Sequence, residues 1–149
     1  MPDDMQDEIR QRIEASFAKQ VFMTTLGARL VHVAAGEVEI ELPVSAHLAQ
    51  QHGFVHAGAV ATIADSAAGY AALTMMPAGA GILTAEFKIN LLSPAAGERL
   101  LAKGRVVKAG RTLTLAMAEV FAISGGVPKL CAMMTATCMV IAGREGVSD

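Results

Sequence analysis

An α+β domain, in which a curved antiparallel sheet is wrapped around one long central helix, is the fold the sequence predicts, and three observations predict it. Residues 56–72 form an Ala-rich stretch of about four turns that is apolar or small almost all round, closed by Pro77 and Gly79. Four stretches with strand periodicity follow, at 82–92, 99–108, 112–123 and 130–141. The breaks between them, Pro94-Ala95-Ala96-Gly97, Ala109-Gly110 and Ser124-Gly125-Gly126, are short, and short turns join antiparallel neighbours. A helix without a wet face and a sheet with one dry face bury each other most economically if the sheet curls around the helix.

The other elements follow in chain order. From about residue 5 to 20, Ile9, Ile13, Phe17 and then Val21 recur at intervals of four and mark one face of a helix that packs on something larger. Between residues 26 and 44, Glu37, Glu39 and Glu41 alternate with Val38, Ile40 and Leu42, a strand with one wet face, and Gly36 marks the turn before it. The expected organisation is a helical extension over 1–20, a single domain over 21–142 and a short polar tail over 143–149. A length of 149 residues fits one hydrophobic core.

Composition narrows the function. Twelve Lys and Arg against 14 Asp and Glu give a net charge of −2, and there is no Trp, so neither a nucleic acid nor an anionic membrane is an expected partner. With 53% hydrophobic and 17% charged residues, part of the apolar surface is expected to be covered by a second copy of the chain. The acidic start Met1-Pro2-Asp3-Asp4 and the lack of a long apolar run predict a cytoplasmic protein. Cys131 and Cys138 read as reduced core thiols, and His32 and His47 have no second ligand type at metal-binding spacing. No glycine-rich phosphate loop is present, so no nucleotide cofactor, metal or other cofactor is expected. The nine methionines fit core filling or an adaptable tunnel equally.

The central helix carries the functional signal. Asp65 is the only charged residue between His56 and Ala72, and its neighbours three, four and seven positions away on the same face are Gly58, Ala61, Thr62, Ala68, Gly69 and Ala72. A carboxylate in a small-residue stripe is either solvated or held for a task, since burying it without a partner is costly. The loop Gln50-Gln51-His52-Gly53-Phe54-Val55 runs into His56-Ala57-Gly58 at the helix start, where unpaired N–H groups favour developing negative charge. Asp65 lies about 12 Å along the axis from Ala57, too far for both to act on one carbonyl. Two antiparallel copies packed through the Gly58 to Ala72 stripe would bring one helix start beside the other copy's Asp65.

These residues resemble the hotdog-fold thioesterases of the phenylacetic-acid-degradation (PaaI-like) type. The likeness is carried by Gly53, His56-Ala57-Gly58, Ala61-Thr62 and Asp65-Ser66-Ala67-Ala68-Gly69-Tyr70-Ala71, then by Thr84-Ala85-Glu86-Phe87-Lys88-Ile89-Asn90, Pro94-Ala95 and Gly97-Glu98. The resemblance implies an acyl-CoA thioesterase, with coenzyme A as part of the substrate. It places Asp65 at the catalytic carboxylate, as nucleophile or general base, and the Ala57 and Gly58 helix start at the group that polarises the carbonyl. It further places Gln50 near the thioester, Thr84 as an assisting hydroxyl, and His56 as the residue shaping the loop. Family members commonly have His-Gly-Gly where this chain has His56-Ala57-Gly58, a change that adds a methyl and keeps the backbone donor.

Phe54 and Tyr70 are candidate pocket walls. Lys88, Lys103, Arg105, Lys108 and Arg111 are either a solvated rim or a site for the phosphates of coenzyme A; Lys88, Lys108 and above all Arg111 are the candidates for the latter. The expected assembly is a homodimer, with a homotetramer as a dimer of dimers. The competing readings are a hotdog hydratase or dehydratase acting on acyl thioesters, and a noncatalytic acyl-CoA sensor or binding module.

Overall fold

A computed structural model of the chain describes residues 1–149. Helix α1 spans Asp3–Ala18 and α2 Val21–Leu26; strands β1 (Arg29–Ala34) and β2 (Glu37–Pro43) precede a short 3-10 turn at Ala46–Leu48. Helix α3 spans Ala57–Leu73, and β3 (Gly81–Leu91), β4 (Arg99–Lys108), β5 (Leu113–Ser124) and β6 (Val127–Ile141) complete the chain. The central helix and the last four strands lie where the hydrophobic periodicity puts them. The break at Lys19-Gln20 was not foreseen, and it moves Val21 out of the expected α1 face into a separate helix, where it is 77% exposed. Gly27, at φ +81°, ends α2 in a left-handed conformation that suits glycine.

The strands form one six-stranded antiparallel sheet in the order β1-β2-β4-β5-β6-β3. This corrects the expected wrap. The sheet is neither curled round the helix nor closed: β1 and β3 are free edges that do not pair with each other, and α3 lies on one face. A helix that is apolar all round calls for cover on every side, but the sheet need not supply all of it. In the structure α1 covers the other side of its C-terminal half. Ile13 is fully buried, the Phe17 and Tyr70 rings stand 5.8 Å apart, and Arg12 donates to the carbonyls of Leu73 and Met76, placing a cation at the negative end of α3.

Alanine content sets how closely α3 sits on the sheet. Ala64, Ala67, Ala68 and Ala71 face Ala102, Ala116, Ala118 and Ala136, all fully buried, with Ile63, Leu100, Val120 and Met134 filling the spaces between. At Gly104 on β4 a Cβ would lie 2.2 Å from the Ala67 carbonyl oxygen, so the helix backbone rests directly on the strand there. Cys131 and Cys138 on β6 are free and buried, as expected of core thiols.

Candidate functional site

Asp65 projects from the middle of α3, half-buried, and receives a hydrogen bond of 2.7 Å from the Thr84 hydroxyl to its Oδ1. Thr84 reaches it because β3 runs beside the helix and carries a bulge at this point: Thr84 pairs with Cys138 and Glu86 with Thr137, which leaves Ala85 unpaired between them. A bulge re-aims the side chains next to it. Cys138 lies directly across from Thr84 and is fully buried, and its thiol is pushed up to about 11, by burial first and by the nearby Asp65 carboxylate second. Asp65, Thr84 and Cys138 thus stack from the surface into the core.

Two hollows open on Asp65. One, of about 440 Å³, is also lined by Ser16 of α1, Gln20 in the break before α2, Tyr70 of α3, Thr84 and Val147. The other, of about 420 Å³, lies over Gly58, Ala61 and Thr62 and is flanked by Phe22 and Phe87. Residues 58, 61, 62, 65 and 66 are the open part of the small-residue stripe. Ala68, Gly69 and Ala72, expected on the same open face, are instead buried within the chain, so a partner helix can meet α3 only along its first half.

The start of α3 forms a separate cavity of about 500 Å³, lined by Gln50, Phe54, His56, Ala57, Leu91 and Leu92 among others, and it shares no residue with either hollow at Asp65. His56 caps the helix: its Nδ1 accepts the Gly58 N–H at 2.8 Å, and its carbonyl accepts from Ala59 and Val60. Gly58 therefore has no donor to spare, whereas the Ala57 N–H has no partner within the chain. Gln50 holds the loop through its side-chain oxygen, which accepts the His52 N–H, and its amide nitrogen is left over as a donor. Gly53, at φ +88°, closes this turn, its N–H donating to the Gln50 carbonyl at 3.0 Å.

The remaining expected residues separate. Tyr70 is 5% exposed, with its hydroxyl bonded to Gln20 Nε2 at 3.0 Å and to Ser16 Oγ at 3.3 Å, while Phe54 is 39% exposed at the helix-start cavity. Lys88 points from β3 to the sheet face away from α3, where it donates to Asn90. Lys108 and Arg111 flank the β4–β5 turn, at the sheet end that carries the C-terminus of α3 and therefore opposite Ala57. Ser16, Gln20 and residues 146–148 join the Asp65 hollow without having been picked out from the sequence. Their only advance signal was the polar character of Gln20 directly after an amphipathic helix.

Strand β3 pairs only with β6, so its other edge is unpartnered. On the side facing α3 it carries Phe87 and Leu91, 45% and 56% exposed. A long apolar edge strand of this kind is a ready template for another chain.

The comparison that decides the family is a match of residues 52–129 to the model described as the thioesterase superfamily, a span that contains the helix start, Asp65 and Thr84. The chain belongs to the thioesterase superfamily. As a hotdog-fold member it is similar to a thioesterase family protein from Silicibacter pomeroyi, 49% identical with a TM-score of 0.89, covering 91% of this chain and 99% of that one. The E. coli PaaI protein from the phenylacetic acid degradation operon is 21% identical with a TM-score of 0.83, covering 93% and 97% of the two chains, a likeness of fold. A Saccharolobus solfataricus protein provisionally named an esterase is 30% identical over 117 residues, 77% of this chain and 81% of its own length. No helix of this superfamily member is long and apolar enough to cross a membrane.

Proposed function

We propose that this chain is an acyl-CoA thioesterase whose two active sites form between two copies, each site using Asp65 and Thr84 of one copy and the helix start of the other. The observation that carries the reading is the division within one chain. The Thr84–Asp65 pair and the unpaired Ala57 N–H line different cavities, about 12 Å apart along α3 at 1.5 Å per residue. A reacting carbonyl needs its donors and its attacking group each within about 3 to 3.5 Å. An antiparallel partner seated on residues 58–66 and on the β3 edge supplies the missing half to each site, and it covers the exposed Phe87 and Leu91.

In such a site the thioester oxygen accepts from the Ala57 N–H and the Gln50 amide, at the positive end of α3. His56 positions the Ala57 peptide by capping the helix through Gly58. As general base, Asp65 takes a proton from water as the water oxygen bonds to the carbonyl carbon. The C–S bond then breaks, and the proton passes to the departing thiolate to give the free acid and CoA. As nucleophile, the same carboxylate bonds to the carbonyl carbon and the C–S bond breaks, releasing the CoA thiolate, which takes a proton from water; water then hydrolyses the resulting mixed anhydride to the free acid and restores the Asp65 carboxylate. In either case Thr84 fixes which oxygen of Asp65 faces the substrate by occupying Oδ1. Phe54 and Tyr70 act as walls, and Lys88, Lys108 and Arg111 are candidates for the CoA phosphates, with the latter two at the far end of α3 from their own helix start.

The test is free-thiol release from aryl, short-chain and long-chain acyl-CoAs by the wild type and by Asp65→Asn, which can still accept the Thr84 bond. Turnover by the wild type that drops about 10²- to 10⁴-fold in the variant supports the reading. Tight CoA-ester binding without turnover points to a sensor module, and water addition to an enoyl thioester points to a hydratase.

A further inference from the structure

We propose that the segment at residues 144–149, clasped to α1, is the end wall of the hollow at Asp65 and limits the length of the acyl group that enters it; the proposal rests on the thioesterase reading above. Residues 146–148 line that hollow together with Asp65, Thr84, Tyr70 and Gln20, so part of the cavity's lining comes from this segment. The segment is built to stay there. The Asp149 carboxylate lies 3.2 Å from Arg12 Nε and accepts the Gly79 N–H at 3.0 Å, while Arg12 also donates to the Leu73 and Met76 carbonyls at the end of α3. One guanidinium therefore ties together α1, the end of α3 and the segment, with both partners of the ion pair mostly shielded from water.

The sequence of β3 is adapted to this contact. Gly81 has no left-handed backbone that would call for glycine, yet a Cβ there would lie 2.7 Å from Val147 Cγ1 and 3.1 Å from the Val147 carbonyl carbon. Close approach, not backbone freedom, explains this glycine. Residues 144–147 are themselves closed by a backbone bond from the Val147 N–H to the Arg144 carbonyl at 3.1 Å. The result is a compact turn pressed onto the first residue of the strand that also holds Thr84. Tyr70 lies five residues beyond Asp65 on α3, about 7.5 Å along the axis, so an acyl chain leaving a carbonyl at Asp65 toward Tyr70 runs into this wall after a short distance.

The experiment compares kcat/KM for a straight-chain acyl-CoA series, butanoyl to dodecanoyl, in the wild type, Asp149→Ala and Gly81→Ala, with Asp149→Glu as the conservative variant. Releasing the clasp should leave butanoyl-CoA turnover in Asp149→Ala close to wild type and raise the dodecanoyl to butanoyl ratio by at least about tenfold, the scale on which a pocket wall discriminates one or more methylenes. Gly81→Ala, which displaces the turn from the other side, should shift the ratio the same way, and Asp149→Glu should restore much of the wild-type profile. A wild type that hydrolyses the series with a length profile identical in all variants overturns the wall while leaving the thioesterase reading standing. A wild type that hydrolyses neither these esters nor an aryl acyl-CoA overturns both.

Discussion

The amide hydrogen of Ala57 can be removed with little else changed, by Ala57→Pro. Ala57 is the first residue of α3, where the N–H has no helical partner and the fixed φ of proline already suits the helix. The residue before a proline must be extended, and His56 has φ −59° and ψ 138°. The cap from His56 Nδ1 to the Gly58 N–H does not involve position 57 and is retained. Loss of a single oxyanion donor in a water-excluded site costs about 2.7–4 kcal/mol in the transition state, or about 10²- to 10³-fold in kcat. KM should move little, because the interaction strengthens only as charge develops. The assay is thiol release at saturating acyl-CoA, with Ala57→Val as the control that adds bulk and keeps the N–H. A folded Ala57→Pro protein with wild-type kcat, or a Val variant as impaired as the Pro variant, refutes the assignment of this amide.

Two further outcomes are expected. Thr84→Val removes the 2.7 Å bond to Asp65 Oδ1; a hydrogen bond to a charged group is worth about 1.5–3 kcal/mol, so kcat should fall about 10- to 150-fold while Thr84→Ser retains most activity. On β2, Glu41 is held below the usual carboxylate range by the hydrogen bond from Arg99 foremost and also by that from Arg29, against the opposing effect of burial. The unfolded chain then binds this proton more readily than the folded one, so the pair stabilises above the ordinary carboxylate range and is lost as pH falls through the lowered folded value. Melting temperatures measured from about pH 6 to pH 3 should fall more steeply for the wild type than for Glu41→Gln.

Much of the fold was legible because its elements carry strong local periodicity. The 3.6-residue and two-residue patterns place α3 and β4 within a residue of where they stand, and the glycine-containing breaks locate the turns. What was not legible is how a covering is shared. Nothing local at Ile13, Phe17 or Arg12 says that α1 lies on α3, so the sheet was credited with a wrap that it does not make. The site divides in the same way. Asp65 stands out as a lone carboxylate among small residues, and Thr84 was found through family likeness, 19 positions away along the chain. That His56 consumes the Gly58 donor and leaves Ala57 free depends on a side-chain rotamer, and the contact of Val147 with Gly81 spans most of the second half of the chain; neither leaves a periodic trace.

The claim that each active site is shared between two copies is tested most directly by co-expressing Asp65→Asn with Ala57→Pro and measuring thiol release from the purified mixture. A heterodimer of these two inactive chains contains one site with both an intact Asp65 and an intact Ala57 N–H, and one with neither. Random pairing makes half of the dimers mixed, so about a quarter of wild-type activity per chain should return if the sites are shared across a two-fold axis. Activity no higher than the average of the two parents, in a preparation shown to contain mixed dimers, would contradict it.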